Sequence, residues 1–312
     1  MGDPKYDTTA ESRNALEVDR SIPFIDTHHH LWELDRFDYD WLKDPGGVGH
    51  NAQLGVGEYK AIRRDWPIAR LLKEFYGSNV VKSVHVEADY SGPDPVEETA
   101  WLESVANGSG FPQALVVFCD LERPDGEAQL ARHVQASART RGVRIRAHPD
   151  DTTANAFRTS YAALGKYGLS YELNASPGKL ISGRDVALAF PDIQVILGHA
   201  GFPSQRSGAY LETWKAEISA LAKAPNVACK MSGFAMADHD WTIASIRPLV
   251  LHCIEAFGVE RSMFGTNWPV DQPYSSYLRQ VDAYRLILAR EGFSRADQER
   301  MLYLNAERYY RI

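Results

Sequence analysis

The chain has 312 residues, 44% of them hydrophobic and 24% charged, with a net charge of -7. No run approaches the ~20 apolar residues of a membrane span, and an acidic balance without a basic patch argues against a nucleic-acid binder. Residues 1–20 are polar and of mixed charge, without the basic start and apolar core of a secretory signal, so they read as an N-terminal extension and a cytoplasmic location is expected.

Short apolar, β-branched runs then alternate with segments of helical period. The first strand is expected at 22–27 (IPFIDT) and runs straight into His28, His29 and His30. Residues 31–79 form a long insertion rich in aromatics, among them Trp32, Tyr39, Trp41 and Trp66. An insertion of that composition is expected to pack over the mouth of the fold as a pocket wall or lid. Further strands are expected at 80–87, 114–119, 142–147, 169–174, 193–198, 226–231 and 262–266. Helices are expected between them, at 96–107, 126–140, 153–166, 179–190, 206–223, 242–257 and 275–291, with a closing helix at 294–308. Asp94-Pro95 and Ser294 signal helix starts; Gly142, Gly168 and Gly258 sit where helices stop. Cys119, Cys229 and Cys253 are widely spaced in apolar contexts and read as buried thiols of a reducing compartment.

Eight strands alternating with helices imply a parallel sheet. Eight also closes a (β/α)8 TIM barrel, expected here as one domain over residues 21–312 with the insertion after its first strand. A doubly wound open sheet is the alternative. It usually carries a Gly-rich phosphate turn after its first strand, a place taken here by three histidines.

In such a barrel the C-terminal strand ends face the active site. Strand side chains alternate, so His28 and His30 share one face and His29 takes the other. Two imidazoles so placed can grip a divalent metal or a substrate oxygen. His199-Ala-Gly ends the sixth strand and supplies a third. Arg144 and Arg146 share a face of the fourth strand and are expected to clamp a carboxylate. Tyr171, Glu172 and Trp32 are expected to line the pocket.

The blocks FIDTHHHLW, RFDYDWL, GVR, LGHAGFP, KMSG and MFGTNWPV, in that order from about residue 22 to 310, resemble the amidohydrolase superfamily. The narrower resemblance is to its amidohydrolase-2 branch, which includes sugar-acid lactonases and the 2-pyrone-4,6-dicarboxylate lactonase. The resemblance implies a barrel and hydrolysis of a small, carboxylated lactone or related cyclic ester. It carries His28, His30 and His199 onto family positions, as metal ligands if a divalent ion, zinc first, is bound. Lys230 also matches a family position, as a catalytic group or as one half of a salt bridge. The eighth strand departs from the pattern, because Asn267 stands where the family usually has an aspartate. An amide cannot serve as a general base. Arginines, Tyr171 and Glu172 stand where metal-binding relatives often offer a further ligand, so metal-bound and metal-free mechanisms both stay open. Without metal, the three histidines polarise the carbonyl. Asp271, four residues beyond Asn267, is then the substitute base, with Glu172 second; the competing role for Asp271 is to cap the next helix. A metal-dependent decarboxylase and a non-catalytic ligand-binding barrel are the alternative functions. The expected partner is a small acid; the sequence leaves homo-oligomerisation open.

Overall fold

The computed structural model describes residues 18–43 and 60–312. Most of the N-terminal extension and the middle of the aromatic insertion lie outside the described residues.

The eight strands are β1 Phe24–His29, β2 Val80–Val86, β3 Ala114–Phe118, β4 Thr140–Arg144, β5 Ser170–Leu173, β6 Val195–Leu197, β7 Val227–Met231 and β8 Ser262–Phe264. They pair in parallel in chain order from β1 to β8. The ring closes between its first and last members at their C-terminal ends. There the His30 amide donates to the Trp268 carbonyl at 2.7 Å and the Asn267 amide to the His28 carbonyl at 2.7 Å. The architecture is a (β/α)8 barrel.

A main helix follows each strand: α1 Ile68–Glu74, α2 Val96–Ser109, α3 Gly126–Ala136, α4 Asn155–Tyr167, α5 Leu180–Ala189, α6 Gly208–Leu221, α7 Ile243–Phe257 and α8 Tyr277–Arg290. Their ends follow local chemistry. Thr242 opens α7 with a capping box, its side chain accepting from the Ser245 amide. Gly168 ends α4 in the left-handed conformation that glycine adopts without cost.

Strand alternation divides the core in two. Ile25, Val84, Val86, Ala114, Val116, Ile196, Ala228 and Met263 point inward, and the closing helical segment 295–310 plugs that interior from below with Ala306, Tyr309 and Tyr310. The other faces, Leu115, Val143, Tyr171, Leu197 and Cys229 among them, pack under the helices. Each fully buried side chain of this size contributes about 1.5–3 kcal/mol of transfer free energy, so one slipped strand would reverse many such terms at once.

All eight expected strands are present. β4, however, begins and ends two to three residues earlier than expected, so Arg146 lies beyond it. α1 has no counterpart in the sequence reading. The described parts of the insertion pack on the loops at the C-terminal ends of β2 and β8. Trp32 and Trp66 exchange backbone hydrogen bonds of 3.3 and 2.9 Å. The Trp66 ring meets Trp268 edge-on at 6.4 Å, and Trp41 Nε1 donates to the Ala88 carbonyl at 2.8 Å.

Candidate active site

The C-terminal strand ends bring His28, His30, Arg144, His199 and Asn267 together. His28 and His199 have ring centroids 4.3 Å apart. His28 Nε2 lies 3.3 Å from His30 Nε2, and His30 Nε2 lies 3.4 Å from Asn267 Oδ1. All five residues are buried. His29 faces the other way, its Nε2 2.9 Å from Ser83 Oγ. It is the histidine that packs outward.

Proton positions in this pocket follow from the partners. A carbonyl only accepts, so His30 Nδ1, 2.8 Å from the Val86 carbonyl, carries the proton. His30 Nε2 therefore presents a lone pair to the pocket. Asn267 Nδ2 donates to Asp271 Oδ1 at 2.9 Å, which turns Asn267 Oδ1 toward His30. Two acceptors thus face each other, and only a donor or a cation satisfies both. The imidazoles are neutral near pH 7. Burial and then the neighbouring Arg144 cation hold His30 down at about 4. Burial and His199 push His28 well below its usual range, and burial and Arg144 do the same to His199.

Backbone geometry around the mouth is unusual. Asp89, His199, Ala200 and Asn267 all have φ between 50° and 59°. Non-glycine residues reach this region only when their surroundings hold them there, and they gather at functional sites. Two glycines make room. A Cβ on Gly233, itself at φ 69°, would meet His199 Nδ1 at 2.6 Å. A Cβ on Gly265 would meet the His28 backbone nitrogen at 2.8 Å. Neither was anticipated from the sequence, although glycine at a strand end signals close backbone approach.

The remaining expected site residues divide. Arg144 points to the pocket but is held by Glu87, through Nε to Oε1 at 2.6 Å and Nη2 to the Glu87 carbonyl at 2.8 Å. Arg146 stands apart, over the Phe118 ring at 4.6 Å, with its Nη2 on the Tyr90 carbonyl at 2.5 Å and its Nε 3.2 Å from Asp89. It lines a separate cavity of about 440 Å³ with Tyr90, Phe118, Asp120, Arg123 and Arg132. The two arginines do not share a strand face, because β4 has ended before Arg146.

Tyr171 is on the outer face of β5, its hydroxyl 3.0 Å from His148 Nδ1 and its ring against Tyr161. Trp32 is fully buried in the insertion, with Nε1 on the Arg64 carbonyl at 2.7 Å and its ring against Trp41. Neither reaches the pocket. Glu172 does face inward, but it sits deeper and pairs with Lys230 at 2.8 Å. Asp271 lies behind Asn267. Its Oδ2 accepts from the Ala235 amide at 3.2 Å and from Gln280 Nε2 at 2.7 Å. Burial raises its carboxyl to about 7 despite these donors and Asn267. With both oxygens occupied and no exposure, it orients Asn267 and does not face open space as a direct base would. It does not cap α8 either; Ser276 does that.

A divalent ion needs three or more ligands of suitable type. Among the described residues no group of three or more His, Cys, Asp or Glu side chains is arranged to hold one. His28 and His30 offer two nitrogens, the position on β8 offers an amide oxygen, and His199 turns its Nδ1 to Ser232 Oγ at 2.9 Å. The set carries no carboxylate, and the three imidazoles are the residues that would hold an ion.

Comparison with known proteins agrees with the barrel. An uncharacterised protein of Sinorhizobium fredii, y4mH, is 37% identical over 304 residues, covering 93% of this chain and 99% of that protein. An L-fucono-1,5-lactonase of Burkholderia ambifaria is 27% identical over 259 residues, 80% of this chain and 81% of that enzyme. A Burkholderia multivorans amidohydrolase crystallised with bound zinc shares the fold with a TM-score of 0.75, at 24% identity over 93% of this chain and 99% of its own. The amidohydrolase family model matches residues 25–312, and the chain is a hydrolase belonging to the amidohydrolase family.

Proposed function

We propose that the protein hydrolyses a small, carboxylated lactone by direct attack of water. One observation carries the reading. His30 Nε2 and Asn267 Oδ1, both acceptors, lie 3.4 Å apart beside two more imidazoles. A water that donates one hydrogen to each leaves its oxygen lone pair free for a carbonyl carbon. His30 takes the water's proton as the bond forms. The carbonyl oxygen gains charge next to His28, His199 and the Arg144 guanidinium, which lie ready to stabilise it. The ring C–O bond then breaks, and the alkoxide recovers the proton from His30. An ester leaving group needs no further acid, which an amide would.

The lactonase relative supports the lactone half of this reading. The acid half rests on Arg144 at the pocket and on Arg146, to whose separate cavity we assign the part of the substrate beyond the ring. Buried thiols at Cys119, Cys229 and Cys253 support a cytoplasmic setting. Among the described residues no helix is long and apolar enough to cross a membrane.

The test is a panel of lactones followed by acid release, with and without chelator, on the native protein and on His30→Gln. Native turnover that survives chelation and falls by about a thousandfold in the variant fits the scheme. Carbon dioxide release from an aromatic acid, abolished by chelator, would instead make the protein a metal-dependent decarboxylase.

A further inference from the structure

Strict alternation cannot produce the face that His28 occupies. Ile25 points into the barrel, so Thr27 should point inward and His28 outward. The reverse holds for His28, and the β1–β2 register shifts between Asp26 and His29. A bulge of this kind bends the strand and re-aims a side chain. It needs fixing on both sides. On the outside, Asp26 Oδ1 accepts from the His28 amide at 3.1 Å and the Thr266 amide at 2.9 Å, and its Oδ2 accepts from Tyr277 at 2.8 Å. On the inside, the Thr27 carbonyl accepts from Lys230 Nζ at 3.1 Å.

Lys230 is fully buried and all three of its donors are used. The other two reach Glu172 Oε2 at 2.8 Å and the Tyr310 hydroxyl at 3.0 Å. Tyr310 in turn donates to Glu172 Oε1 at 2.5 Å. The ammonium is a tripod standing on the barrel floor, and one of its legs is supplied by the closing segment near the C-terminus. With no free donor it makes no contact with substrate.

We propose that Lys230, braced by Glu172 and Tyr310, is a positioning residue that holds the β1 bulge and so keeps His28 turned into the pocket beside His30. The inference rests on the hydrolytic reading only for its kinetic arm. The other arm is spectroscopic and needs no turnover.

The experiment compares Lys230→Met and Tyr310→Phe with the native chain. It reads imidazole resonances by ¹H–¹³C correlation, and kcat and KM on the best lactone. Misplacing a reacting group by about 1 Å costs about a hundredfold in rate. Lys230→Met should therefore lower kcat by about that factor with KM little changed. It should move the His28 and His30 resonances and leave those of His133, on the outer layer, in place. Tyr310→Phe keeps the ring and removes one leg, so the same resonances should move less. A folded Lys230→Met with native His28 resonances overturns the proposal. If that variant does not fold, Tyr310→Phe decides alone, and native His28 resonances in it overturn the proposal equally.

Discussion

At the scale of single residues, Arg144 and Arg146 make the sharpest contrast. Arg144 is buried against Glu87, and truncating one member of a buried pair strands the other charge, at about 3–5 kcal/mol. Arg144→Met should therefore lose both stability and activity. Arg146 is 43% exposed in its pair with Asp89, and such pairs contribute at most about 1 kcal/mol. Arg146→Met should melt close to the native temperature and raise KM for an acidic lactone, with kcat and the KM of its methyl ester little changed. Equal KM changes for acid and ester would remove the acid from the substrate description. The sequence named both arginines yet could not separate them, because strand ends read from propensity carry an error of two or three residues and β4 stops at Arg144. His28, His30 and His199 were legible because each directly follows or ends a short apolar run. Asp271 was legible only as a carboxylate near the mouth; spacing along a loop does not say that Asn267 stands in front of it.

At the scale of elements, the turns after β6 and β7 hold the site in shape. His199 and Ala200 both have φ 50°, and Gly233 sits against the His199 ring. Gly233→Ala places a methyl 2.6 Å from His199 Nδ1 and adds a left-handed penalty of about 1–2 kcal/mol. The ring must leave Ser232, so kcat should fall at least tenfold by our estimate from the 1 Å rule, with a melting temperature lower by several degrees. Unchanged kcat in a destabilised protein would show that His199 has no role in the chemistry. The sequence showed the glycine in KMSGF but not its neighbour, which comes from a different strand. The same limit hid Tyr310, just past the expected closing helix, whose hydroxyl reaches the barrel interior. Local pattern finds helices and strands; it does not say which side chain of a terminal helix enters the core.

For the whole molecule, closure of the parallel barrel was readable from eight alternating runs, and the same closure drives many titratable groups out of water. Seven histidines, at 28, 29, 30, 85, 133, 148 and 199, are held below their usual range, each first by burial. Among the carboxyls that burial raises, four rise furthest: Asp26 and Asp89 to about 6, Asp271 to about 7 and Glu98 to about 8. These groups oppose each other. A histidine with a depressed folded pKa disfavours the native state once pH falls below about 6.5, since only the unfolded chain takes up the proton. A carboxyl with a raised folded pKa favours the native state at low pH and loses that advantage as pH rises toward the folded value. Between about pH 4.5 and 6, seven histidines act against four carboxyls, so the unfolded chain binds about three more protons and stability rises with pH by up to about 4 kcal/mol per unit. Above about pH 7 the unfolded histidines have lost most of their protons and Asp271 and Glu98 outweigh them, so stability declines gently to about pH 8. Denaturant midpoints measured across that range should peak near pH 7, steep on the acid side and shallow on the basic side. The acid limb tests the pocket itself, because His28, His30 and His199 contribute three of the seven opposing groups. Replacing His30 with Gln should flatten that limb by about 1.4 kcal/mol per pH unit, and an unaltered slope would mean that the imidazole is not held neutral in the folded chain.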